Sequence, residues 1–113
     1  METVSDGLTP QKLRVVTDFI RENLAGNLVR ADIADATGIS VHHLAHLFKR
    51  STGLALHQYI VKARIEQATR LLVETDLSVR EIARRVGYTH SRFSALFQRH
   101  AGTTPTSYRA AQK

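Results

Sequence analysis

The side chains with the most chemical capacity in this 113-residue chain are a histidine cluster and an isolated arginine. His42 and His46 stand four residues apart, with His43 three before His46. Two imidazoles at that spacing share a helix face and can share a zinc ion. A catalytic zinc helix of the His-Glu-x-x-His type also needs the glutamate and a third ligand. Position 43 is histidine and no clear third ligand follows, so no resident metal is expected. The same imidazoles can donate or accept hydrogen bonds at a base edge, and Ala45 can pack on a thymine methyl. Arg92 stands beside Ser91, Ser94 and Ala95. Its planar fork can bond guanine O6 and N7 together, or grip a phosphate. The hydroxyls of Ser40 and Thr89 suit phosphate oxygens, as do the bases Lys49, Arg50, His90 and Arg99. Arg84 and Arg85 can brush the same backbone or simply face solvent.

Charge favours a polyanion as the partner of these groups. Residues 1–37 hold four basic and six acidic side chains, a net of −2, whereas residues 38–113 hold twelve and four, a net of +8. The whole carries +6 with a pI near 10.3. An asymmetric basic domain suits nucleic acid, although a merely solubilising surface would carry the same sum. With no cysteine, disulfides, thiolate zinc sites and cysteine nucleophiles are excluded. No nucleophile stands with a base partner and no phosphate loop is present, so no catalytic residues and no cofactor are expected. No apolar run approaches the roughly 18 residues of a membrane span. The N-terminus lacks the basic and apolar regions of a secretory signal, and a cytoplasmic location is expected.

Helices must position these groups. Ser78 with Glu81 three residues on predicts a helix start closed by a capping box. Ile82, Ala83 and Val86 line one face, and Gly87 supplies the positive φ of a stop. After Tyr88-Thr89-His90 a second helix is predicted from Ser91 to Ala101, with Phe93, Leu96, Phe97 and His100 on one face. Gly102 ends it, and Pro105 suits the first turn of another helix, to Ala111. A short helix, a glycine turn and an amphipathic helix make a helix-turn-helix unit. In such a unit the second helix enters the major groove and its early residues face the bases.

The unit is duplicated. A shift of 49 residues lays Ile82-Ala83 on Ile33-Ala34, Gly87 on Gly38, Thr89 on Ser40 and Phe93 on Leu44. It also lays Leu96-Phe97 on Leu47-Phe48, Arg99 on Arg50, Gly102 on Gly53 and Tyr108 on Tyr59. One register without a gap indicates a repeated unit. In the first copy Val29 stands where the second has its capping Ser78, with Asp32 in place of Glu81. Its second helix is predicted from Val41 to Thr52. Leu44, Leu47 and Phe48 point inward and His42, Ala45 and His46 outward; the register places Ser91, Ser94 and Ala95 likewise, with Arg92 at their flank.

Thr9-Pro10 opens a first helix with Leu13, Val16, Phe19, Ile20 and Leu24 on its stripe, stopped at Gly26-Asn27. A long helix is expected from Ala55 to Thr75, its face made by Ile60, Ala63, Ala68, Leu71 and Leu72, with Glu66 and Arg70 spaced as a pair. Twenty helical residues span roughly 30 Å, close to the rise of one DNA turn, about 34 Å. The expected fold is all-α: about seven helices in two helix-turn-helix subdomains joined by a long linker helix. The boundaries are residues 1–8 for a flexible lead, 9–54 for the first subdomain, 55–75 for the linker and 76–113 for the second.

Residues 59–108 resemble the DNA-binding domain of the AraC/XylS family of bacterial transcription regulators. The resemblance is carried by Tyr59-Ile60, Arg64-Ile65-x-x-Ala68-x-x-Leu71-Leu72 and Ser78-Val79-x-x-Ile82-Ala83-x-x-x-Gly87-Tyr88. It continues through Phe93-Ser94-x-x-Phe97 and Gly102-x-x-Pro105-x-x-Tyr108-Arg109. With the first unit it covers nearly the whole chain from Thr9. The resemblance implies a monomer with both recognition helices in adjacent major grooves of double-stranded DNA, which can bend. It implies base contacts at the positions of His42, Ala45 and His46. It further implies a transcription activator working with RNA polymerase, with no small-molecule effector site in a chain of this length. Either a short stand-alone member or the DNA-binding domain of a longer regulator fits. Three departures stand out. One residue fewer separates Gly87 from Phe97, Ala95 replaces a frequent arginine, and Leu56 replaces a frequent proline. A protein-docking module is the main alternative, which the +8 half and the duplicated outward faces disfavour. The better-capped second unit is expected to supply folding and backbone grip, and the first unit sequence choice.

Overall fold

The computed structural model describes residues 7–26, 28 and 30–112, which form seven α-helices and no strand. Residues 1–6, Asn27, Val29 and Lys113 lie outside them. The first-helix stop at Asn27, the uncapped start at Val29 and most of the N-terminal lead therefore fall on residues not described. The helices are α1 (Pro10–Glu22), α2 (Arg30–Thr37), α3 (Val41–Thr52), α4 (Leu56–Glu74), α5 (Val79–Arg85), α6 (His90–Ala101) and α7 (Pro105–Ala111). They group into two compact units, with the division inside α4 between Val61 and Lys62.

In the first unit, Thr9 caps α1 by accepting from the Lys12 N–H, with Pro10 in the first turn. Val16 and Ile20 are fully covered and pack with Ile33 and Ala34 of α2 in one core. Helix α3 buries Leu44 and Phe48, and the start of α4 adds Leu56, Ile60 and Val61. The Phe48 and Tyr59 rings meet edge to face, 5.1 Å between centroids. Leu8, the last residue of the expected lead, is buried, and its N–H donates to Ser51 Oγ at 2.7 Å. A side chain at Gly7 would collide with that serine.

Helix α1 ends earlier than its apolar spacing predicts. Asn23 terminates it, donating from Nδ2 to the Phe19 carbonyl at 2.7 Å and from its N–H to the Ile20 carbonyl. An asparagine side chain that satisfies a terminal carbonyl competes with the next helical turn. Leu24 therefore leaves the α1 stripe and is buried in the second unit instead.

The second unit is built on Ile65, Ala68 and Leu72 of α4, Ile82, Ala83 and Val86 around α5, and Phe93 and Phe97 of α6. Val61 and Ile65, absent from the predicted α4 face, are buried, while Ala63 and Leu71 are only half covered. The Glu66–Arg70 pair is replaced by a hydrogen bond from Arg70 to Gln67. His100 is exposed in the last turn of α6, not on the buried face with Phe93 and Phe97. The end of α4 is closed by Arg109. Its Nε donates to the Leu72 carbonyl at 3.0 Å and its Nη2 to the Thr75 carbonyl at 3.2 Å. A cation bonding the last carbonyls of a helix neutralises both the unpaired acceptors and the negative end of the dipole.

The capping box at Ser78 forms by half. Ser78 Oγ accepts from the Glu81 N–H at 3.0 Å. The Glu81 carboxylate, however, is held by Arg84 and by Arg85 Nε, the latter at 3.1 Å. Two guanidiniums within one helical turn outcompete a single backbone N–H for that carboxylate.

Candidate nucleic-acid interface

Helices α3 and α6 are built alike. Each has twelve residues, offset by 49 at both ends. Ser40 caps the first by accepting from the His43 N–H, and Thr89 caps the second by accepting from the Arg92 N–H, each at 3.2 Å. Gly53 and Gly102 close them at φ 80° and 79°. Leu44 and Phe48 are buried in α3, Phe93 and Phe97 in α6. The burial of one stripe leaves the opposite stripe to water.

That outer stripe carries the predicted base readers. His42 and His46 are exposed on α3, with Ala45 half covered between them. Ser91, Arg92 and Ala95 are exposed on α6, and Ser94 is half covered. Thus α3 presents donors, acceptors and one methyl, whereas α6 presents a smaller, smoother surface with one cation. Starting α6 at His90, one residue before the predicted start, puts Thr89 at the cap and His90 in the first turn.

The predicted phosphate contacts surround these stripes. Ser40, Lys49, Arg50, Thr89, His90 and Arg99 are all exposed. The Ser40 and Thr89 hydroxyls accept from backbone N–H groups, which leaves each O–H free to donate to an anion. Arg84 and Arg85 are engaged by Glu81, whose carboxyl they hold below its ordinary range by direct hydrogen bonds. The same pairing raises Arg84 further. These two arginines are therefore partly neutralised locally. Among the described residues no group of three potential metal ligands gathers, and no helix is long and apolar enough to cross a membrane.

Two features escaped the sequence argument. A hollow of about 710 Å³ beside α3 is lined by His46, Lys49 and Arg50 and also by Arg30, at the start of α2. Only the charge of Arg30 signalled it, since nothing in the spacing brings residue 30 to residue 46. In the second unit Arg64 and Arg92 both approach the Tyr88 ring, at 5.0 and 5.8 Å from its centroid. Tyr88 was visible only as an aromatic after the helix-stopping glycine.

A family profile described as "Helix-turn-helix domain" matches residues 33–111. The chain is 35% identical over 95 residues to the uncharacterized HTH-type transcriptional regulator YijO of Escherichia coli K12. That match takes in 83% of this chain and 34% of the relative. It is 29% identical over 108 residues to the lactose operon transcription activator of Staphylococcus xylosus, covering 95% of this chain and 39% of that one. The chain thus spans little more than a third of these relatives. Among solved structures, the DNA-binding domain of the global transcriptional factor AdpA, in complex with a target DNA, superposes with a TM-score of 0.83. It is 32% identical, over 88% of this chain and 91% of that one.

Proposed function

The chain belongs to the AraC/XylS-type helix-turn-helix family of transcriptional regulator DNA-binding domains, and on that premise we propose that it reads double-stranded DNA through α3 and α6 together. The observation that carries this is the repeat itself. Two helices of equal length, each with a hydroxyl N-cap and a glycine C-cap, bury an apolar stripe and present a polar one. An unbroken helix of 19 residues, roughly 28 Å at 1.5 Å per residue, runs from the first unit into the second. That length suits recognition helices entering successive major grooves, about 34 Å apart.

In this reading His42, Ala45 and His46 contact base edges at one half-site, and Ser91, Arg92, Ser94 and Ala95 at the other. Ser40, Lys49, Arg50, Thr89, His90 and Arg99 hold phosphates. Residues 55–75 act as the spacer between the two helix-turn-helix subdomains. The chain binds as a monomer and activates transcription with RNA polymerase as its partner, in line with the named activator among its relatives. The chain holds no small-molecule effector site of its own and performs no catalysis. The more polar α3 stripe makes the first unit the main source of sequence choice.

Selection of bound sites from a random duplex library, followed by footprinting, tests the arrangement. Two half-sites about one helical turn apart are expected. Inserting one helical turn into α4 should shorten the footprint to a single half-site. An unchanged two-part footprint would refute the spacer role, and stronger base preference at the α6 half-site would reverse the division of labour. Binding that does not weaken with added salt would favour a protein-docking role instead.

A further inference from the structure

Tyr88 occupies the turn between α5 and α6, and its N–H donates to the Ala83 carbonyl at 2.9 Å. Its ring is half covered, and its hydroxyl oxygen is buried without a hydrogen-bond partner. The ring, not the hydroxyl, is therefore what the site uses. On it lies Arg64, 5.0 Å from the centroid. Arg64 is itself fixed by donating from Nη2 to the Gly26 carbonyl at 2.9 Å. Gly87 makes room for that guanidinium, since a Cβ there would lie 3.0 Å from it. Arg92 approaches the same ring at 5.8 Å, while its backbone N–H is held by Thr89.

A guanidinium over an aromatic face is attracted by the ring's quadrupole. Arginine otherwise loses much rotamer freedom when it binds, and a guanidinium already docked loses less. Arg64 is engaged by the Gly26 carbonyl and the ring, whereas Arg92 is exposed and its charge can meet an anion. We propose that Tyr88 is a positioning residue for DNA recognition: its ring presents the Arg92 guanidinium at the start of α6, so that base preference opposite Arg92 depends on an aromatic side chain at position 88. The inference rests on Arg92 being a base reader, and its test separates the two claims.

Base preference is measured by selection from random duplexes for the wild type, Arg92→Ala, Tyr88→Phe, Tyr88→Leu and the Tyr88→Leu/Arg92→Ala double variant. Arg92→Ala should flatten preference at one base position, by roughly tenfold or more. Tyr88→Leu should flatten that same position, Tyr88→Phe should preserve it, and the double variant should lose nothing beyond either single change. If Arg92→Ala flattens a position that Tyr88→Leu leaves intact, the positioning role is wrong and the reading role stands. If Arg92→Ala changes no position, the reading role falls and the inference with it. A uniform loss across all positions with Tyr88→Leu would make Tyr88 a structural residue only. Because Tyr88→Leu can impair folding, proton spectra of the wild type supply a second measure. The Arg92 side-chain protons should be shifted upfield by the ring, and random-coil shifts would overturn the proposal without any variant.

Discussion

Phe48 and Tyr59 meet edge to face, with centroids 5.1 Å apart and planes at 85°. Forty-nine residues later Phe97 and Tyr108 repeat the contact at 5.7 Å and 77°. Each pair joins the second helix of a helix-turn-helix unit to the element that follows it, α4 in the first unit and α7 in the second. Edge-to-face pairs contribute about 0.5–1.5 kcal/mol beyond the area they bury. Tyr59→Leu and Tyr108→Leu should therefore each destabilise the chain by at least that much. Tyr59→Phe and Tyr108→Phe, which keep the ring, should cost clearly less. Denaturant titration checks both, and equal losses for leucine and phenylalanine would show that the ring geometry is not the source.

Gly87 should be the least replaceable of the helix-closing glycines. All four of Gly38, Gly53, Gly87 and Gly102 have positive φ, but a Cβ at Gly87 would also lie 2.7 Å from the Leu24 carbonyl. Gly102 has open space around it. Left-handed strain alone costs about 1–2 kcal/mol. Gly102→Ala should lose about that much, and Gly87→Ala about 1–3 kcal/mol more because of the clash. At about 4–8 °C per kcal/mol for a domain of this size, thermal melting separates the two.

Acid should weaken the second unit through Glu81. Hydrogen bonds from Arg84 and then Arg85 hold its carboxyl below the ordinary range. The folded state thus binds that proton less readily than the unfolded chain, in which a glutamate titrates at about 4.3. The stabilisation is complete above that value and is lost as the pH falls toward the lower folded value. Glu81→Gln should lie below the wild type at pH 6–7 and approach it as the pH falls below about 4.3. The site is exposed, so added salt should narrow the gap. Melts across pH at two ionic strengths measure this, and a gap that does not narrow as the pH falls below the ordinary glutamate range would rule out the ion pairs as its cause.

His46 and Lys49 should fail in different ways. His46→Ala should weaken selected sites by about 1–3 kcal/mol and leave random DNA nearly untouched. Lys49→Ala should weaken all duplexes alike and reduce the slope of log affinity against log salt by about 0.9. Arg30→Ala, if residue 30 grips a phosphate from the hollow beside α3, should behave like Lys49→Ala. Equal losses for His46→Ala on selected and random duplexes would remove it from the readers.

The sequence alone determined the helices, their repeat and their outer stripes. Apolar spacing, hydroxyl caps at Thr9, Ser40, Ser78 and Thr89, and glycine stops are local signals, and they act within one or two turns. Residues such as His42 and His46 stood out for the same reason, because a helix periodicity assigns faces without reference to the rest of the chain. Local competition between partners escaped that pattern: Asn23 shortens α1, and Glu81 chooses two arginines over its own cap. Distant pairings needed the tertiary structure. Arg109 reaches back 37 residues to Leu72, Arg64 reaches 38 to Gly26, and Leu8 reaches 43 to Ser51. Arg30 joins the hollow beside His46 in the same way. Such contacts carry no spacing signal, because chain separation is free to vary once turns and helices bring two surfaces together. Tyr88 shows both levels at once. Its place after Gly87 is a local rule of helix termination, but only packing brings Arg64 and Arg92 to one ring.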